Sequence, residues 1–130
     1  MEIYIVKENI DWIIHLVIGE NNKFDDGRLD GTCDAHSHGL DKYCGRELQV
    51  VLNNNAYINL INKVGLLAKE NGEKIYAGKI IYGMFDDDAL LRVDDALDCY
   101  GKPIWRLIIP DYRNKFPEES DEWPYVMQNY

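Results

Sequence analysis

Asn53-Asn54-Asn55-Ala56-Tyr57-Ile58-Asn59-Leu60-Ile61-Asn62-Lys63-Val64-Gly65-Leu66-Leu67-Ala68-Lys69-Glu70-Asn71-Gly72 decides the fold, because it is the best helix in a chain that otherwise reads as strands. The three asparagines are N-cap candidates, since a side-chain oxygen there can accept from the first N–H groups of a helix, which lack intrahelical partners. Tyr57, Ile61, Val64 and Ala68 then recur at helical spacing, with Leu60 and Leu67 on the adjoining stripe. Asn71-Gly72 is a stop signal, because glycine takes the left-handed conformation that ends helices. An apolar stripe of this kind is the side of a helix that lies on a sheet.

Upstream, residues 3–6 and 12–18 are short apolar runs rich in β-branched and aromatic residues, separated by Lys7-Glu8-Asn9. They predict a hairpin. Residues 19–31 are polar and rich in Asn, Asp and Gly, as a surface loop is. Strands are expected over 32–40 and 47–52, with a turn at 41–45. Downstream, strands are expected over 79–84 and 90–97, with Asp86-Asp87-Asp88 at the turn between them. After the turn residues Tyr100-Gly101-Lys102-Pro103, residues 104–109 are almost continuously apolar, which predicts an interior strand covered on both faces. From about residue 110 the chain becomes irregular while keeping Tyr112, Phe116, Trp123 and Tyr125, so this tail is expected to wrap over the domain. Strands, one helix and more strands specify an α+β fold: a mainly antiparallel sheet with one principal helix packed on it, as a single domain over 1–130.

The 130 residues suffice for one domain that folds without a metal or disulfide. Twenty-three acidic against 14 basic side chains give a net charge of −9. That balance disfavours nucleic acid and anionic membranes, and it favours a basic protein partner. Cys33, Cys44 and Cys99 are odd in number and irregularly spaced. With no basic lead or long apolar run at the start, they predict free thiols and a cytoplasmic location.

The segment Asp34-Ala35-His36-Ser37-His38-Gly39 carries the chemistry most worth testing. On a strand, Asp34, His36 and His38 share one face, and Cys33, Ala35 and Ser37 the other. Two imidazoles two residues apart begin a metal site, and zinc is the metal they suggest, with Asp34 as a third ligand or an orienting partner. The spacing resembles the first strand of amidohydrolases, but those barrels need roughly 250 residues. The only other histidine is His15, and further ligands would have to be acidic residues, Cys44 or Cys99. The alternative, preferred on sequence alone, is that both histidines make hydrogen bonds within a polar strand and bind no cofactor. No phosphate-cradling loop, calcium loop or nucleophile elbow is present in the sequence.

Three segments together resemble the bacterial domain-of-unknown-function family 4262. They are residues 34–40 followed by Glu47-Leu48-Gln49-Val50-Val51-Leu52; the helix with Leu60-Ile61-Asn62 and the glycines Gly72 and Gly78; and Leu107-Ile108-Ile109-Pro110-Asp111, closing with Phe116-Pro117. The resemblance implies a compact bacterial α+β domain and carries no activity. Within those segments His36, His38, Glu47 and Asp111 are candidate binding residues. The expected function is a non-enzymatic protein-binding or regulatory module, resembling an immunity protein or inhibitor that masks a basic partner. The alternative is a small metal-dependent hydrolase using Asp34, His36 and His38.

Overall fold

The computed structural model describes residues 2–6, 11–18 and 31–129. Its elements in chain order are β1 (Glu2–Val6), β2 (Ile13–Val17), β3 (Thr32–His38), α1 (Asp41–Cys44), β4 (Leu48–Leu52), α2 (Asn55–Ile58), α3 (Leu60–Asn71), β5 (Ile80–Ile81), β6 (Leu91–Leu97) and β7 (Pro103–Ile108). A 3-10 helix follows at Tyr125–Asn129. The strands form one seven-stranded sheet in the order β1-β2-β3-β4-β7-β6-β5. Every pairing is antiparallel except β4 with β7. That parallel pair requires a crossover, and α2, α3 and the β5–β6 hairpin lie within it. The architecture is the α+β fold expected from the sequence; the turn expected at 7–9 and nearly all of the loop expected over 19–31 lie outside the described residues.

Asn54 caps the helical segment, its side chain accepting from Ala56 and Tyr57 N–H groups. The helix is jointed at Asn59 into the single turn α2 and the longer α3, and Gly72 ends α3 in the left-handed conformation. Leu60, Ile61, Val64 and Ala68 are buried. They pack with Ile14, Leu16, Cys33, Ala35, Leu48, Val50, Leu52, Leu91, Val93, Leu107 and Ile109 from the sheet. Ile61 is fully buried at the centre of this face. Ile61→Ala is therefore expected to cost about 2–5 kcal/mol through loss of burial and a residual cavity. A change below about 0.5 kcal/mol in denaturant unfolding would mean that the site collapses fully or is not core.

Several details differ from the sequence expectations. Residues 41–44 form a helical turn, closed by Tyr43 and Cys44 N–H groups on the Leu40 carbonyl and stopped by Gly45. The strand expected over 79–84 shrinks to Ile80–Ile81, because the chain bends away from Gly83 through the three aspartates. Tyr57 and Trp105 are partly buried at the margin of the core. Tyr57 bonds the Tyr125 hydroxyl, and the Trp105 indole donates to the Cys44 carbonyl. The tail is tied down by Gln128, whose side-chain amide accepts from Ile109 N–H at 2.7 Å and donates to Ile109 C=O at 2.6 Å. It thereby satisfies backbone groups beyond the end of β7.

Candidate functional site

Period-two alternation sends Cys33, Ala35 and Ser37 into the core and leaves Asp34, His36 and His38 on the other face of β3. The antiparallel register places His15 of β2 directly opposite His36. The same register continues across the sheet: His36 opposite Gln49, Gln49 beside Arg106, and Arg106 opposite Asp94. A polar row thus crosses five strands on the face away from α3. Such a row must satisfy its own polar groups where it is buried. The Arg106 guanidinium donates to Gln49 at 2.8 Å, the Gln49 amide donates to Asp34 at 3.0 Å, and Asp34 bonds His36 Nδ1 at 3.0 Å.

The three imidazoles converge. Ring centroids lie 4.9 Å apart for His15 and His36, 4.8 Å for His36 and His38, and 5.7 Å for His15 and His38. One ring nitrogen from each falls within 4.8 Å of the other two. The bond from Nδ1 of His36 to Asp34 leaves Nε2 as that ring's ligand atom. A carboxylate behind a ligating histidine fixes its tautomer and raises its basicity. Asp34 pulls the His36 pKa above the ordinary imidazole value, whereas burial and the neighbouring His36 push His38 below it. Burial also acts to raise the Asp34 pKa, but the bonds from His36 and Gln49 outweigh it and hold the carboxyl ionised.

Beside His36 and His38 lies a pocket of about 140 Å³, walled also by Asp34, Ser37, Glu47 and Ile104. The β6–β7 turn completes it with Asp98, Cys99, Tyr100 and Lys102. Sequence reasoning found His36, His38 and Asp34 but passed over His15, and it had no signal for Lys102 or Tyr100. The His15 signal was faint: alternation within 12–18 places it away from Ile14 and Leu16, but the register against β3 depends on the chain between them.

The remaining candidates have other occupations. Glu47 lines the pocket and staples the β3–β4 connection, accepting from the Ser37 hydroxyl at 2.7 Å and from Leu40 and Gly39 N–H groups at 2.9 and 3.2 Å. Asp111 follows the far end of β7, and its carboxylate accepts from Arg113 N–H, Lys115 N–H and the Ser120 hydroxyl. It organises the start of the tail and does not join the histidines. Cys44 is buried, which pushes its thiol up to about 12 and disfavours ligation by thiolate at neutral pH. Cys99 is an exposed free thiol on the pocket wall.

Among the described residues no helix is long and apolar enough to cross a membrane. Comparison of the chain with family models, with curated proteins and with solved structures finds no match.

Proposed function

We propose that His15, His36 and His38 bind one zinc ion, and that the domain is a small zinc-dependent hydrolase. The observation that carries this reading is the convergence of three imidazole nitrogens from two paired strands, one of them oriented by a carboxylate. Three neutral imidazoles are a ligand set that zinc favours, and they leave a fourth position for water or substrate. Zinc–nitrogen bonds of about 2.0–2.1 Å bring tetrahedral ligand nitrogens to roughly 3.3 Å, so small side-chain rotations suffice to close the set. When bound, zinc supplies Lewis acidity and lowers the pKa of its water to about 7.

The chain's own residues supply the rest. Asp34 holds the His36 ring, Gln49 holds Asp34, and Arg106 holds Gln49. His36 and His38 face the pocket in which substrate would sit. Its volume is below the roughly 300–1,000 Å³ of drug-sized sites, so it suits a carbonyl compound of few heavy atoms. Lys102 is the one cationic residue on the wall, and its charge would favour negative charge developing on a carbonyl oxygen. The test is hydrolysis of a small activated ester by protein purified without an affinity tag. Activity should vanish with a chelator, return with zinc, and be missing from His15→Ala. Activity that survives both the chelator and His15→Ala would exclude a zinc mechanism at this centre.

A second reading, docking to a basic protein, is favoured by the net charge of −9 and by the tail, where Tyr112 and Trp123 stand exposed among acids. Glu118 and Glu122 are engaged with Arg92 and the Tyr112 hydroxyl, so Glu119 and Asp121 are the acids to reverse. On this reading, association with a basic partner should slow as salt shrinks the Debye length from about 10 Å at 0.1 M to about 3 Å at 1 M. Glu119→Lys with Asp121→Lys should slow it further. An on-rate unmoved by both changes would exclude electrostatic docking through the tail.

A further inference from the structure

A second cavity, of about 390 Å³, opens at the carboxyl end of β7, the opposite end of that strand from the histidine pocket. Its walls are aromatic. Tyr57 of α2 meets Phe85 edge to face at 6.5 Å between centroids and Tyr125 of the terminal 3-10 helix at 6.2 Å. A hydrogen bond of 2.8 Å joins the two tyrosine hydroxyls, holding those two rings in place. Ala89, Ile109 and Pro110 add apolar surface. The charged groups are all acidic: Asp86, Asp87 and Asp111 line the cavity, and no lysine or arginine does among the described residues.

Those features point to a cationic ligand. Three carboxylates repel anions and raise the local concentration of cations. The faces of aromatic rings carry negative partial charge and attract a desolvated cation within about 6 Å of the centroid. Two of the carboxylates have already committed oxygens: Asp87 accepts from Ala89 N–H, and Asp111 accepts from two backbone N–H groups and the Ser120 hydroxyl. Asp86 accepts no bond among the described residues. The carboxylates favour a cation of any kind, and the aromatic walls favour one whose charge is diffuse and weakly hydrated. Tyr112 belongs to the rim: Arg113 lies 5.6 Å from its ring centroid, so that face already has a cation. Tyr57, Phe85 and Tyr125 remain as the aromatic walls. The volume falls within the range of small-molecule sites.

We propose that this cavity binds a small organic molecule bearing a quaternary ammonium group. The proposal is independent of the zinc reading, since the cavity shares no residue with the histidine pocket. Choline is the probe, and 3,3-dimethylbutan-1-ol, its neutral isostere, is the control; both are titrated into the full chain by calorimetry. Choline should bind at least about tenfold more tightly than the isostere, the difference a desolvated cation–π contact makes. Tyr57→Phe, which keeps the ring, should retain most of the affinity. Phe85→Leu, at a half-buried position, should lose about tenfold with an unchanged circular dichroism spectrum. Should Phe85→Leu unfold the domain, the choline-to-isostere ratio on the unaltered chain still decides the matter. Equal binding of choline and isostere, or no binding of choline, would overturn the proposal. A trimethyllysine peptide that binds more tightly than choline would overturn the small-molecule form of it in favour of a protein tail.

Discussion

Replacing any one of His15, His36 or His38 with alanine is expected to reduce zinc affinity by more than about a hundredfold, measured by competition with a chromophoric chelator. Loss of an orienting partner typically costs about 10–100-fold, and loss of a ligand itself must exceed that. Asp34→Asn should fall inside the smaller range, because it leaves the His36 ring in place but removes the negative charge behind it. Zinc binding should also weaken as pH falls. Protons compete for the same ring nitrogens, and His36, whose pKa is raised by Asp34, meets that competition at a higher pH than an ordinary imidazole does. Raising the pH through that pKa releases the proton and restores affinity. If His15→Ala leaves affinity unchanged while His36→Ala abolishes it, the third ligand has been misidentified. If none of the three matters, there is no zinc site here and the rings serve only the polar row.

Gly39→Ala is expected to be among the most destabilising single substitutions, at about 3 kcal/mol or more. Gly39 ends the histidine strand with a φ of +109°, where a side chain is strained. An added Cβ would also lie 2.5 Å from the Asp11 carbonyl oxygen and 3.2 Å from Trp12 Cα. Those are backbone atoms at the entry to β2, and they cannot yield without moving the strand that carries His15. Strain and overpacking each cost about 1–3 kcal/mol. Gly45→Ala is the control. Its φ is +81°, yet nothing lies within 4 Å of the new Cβ, so the cost should be about 1–2 kcal/mol from backbone strain alone. Equal midpoints for the two variants in denaturant unfolding would mean that the close approach of Gly39 to β2 has no energetic consequence.

The elements written into local pattern were legible from residue order: an asparagine cap among residues 53–55, the Ile61–Val64–Ala68 stripe, the Gly72 stop and the alternation through Asp34, His36 and His38. What escaped was long-range. His15 meets His36 only through the β2–β3 register, and no residue within either strand announces that register. Gln49 sits inside Leu48-Gln49-Val50-Val51-Leu52 and reads as an incidental polar residue in an apolar run. In the folded chain it is 4% exposed and bonded on both sides, linking Arg106 to Asp34. The parallel pairing of β4 with β7 sets that contact, and it spans a crossover whose closure cannot be read from either strand alone. Asp111 shows a different gap. An acidic residue directly after an apolar strand reads as a site residue, but nothing in the residue order says that its carboxylate also caps the turn that follows. Glu47 likewise faces the pocket and also holds the β3–β4 connection.

Whether His15, His36 and His38, from two neighbouring strands, form one metal centre is decided by X-ray absorption at the zinc edge on protein loaded with one equivalent of zinc. Three imidazole nitrogens at about 2.0–2.1 Å and one oxygen ligand from solvent are expected. The His15→Ala protein should lose one imidazole from that shell. A shell dominated by carboxylate oxygens or containing sulfur, or a protein that retains no zinc, would contradict the three-histidine centre.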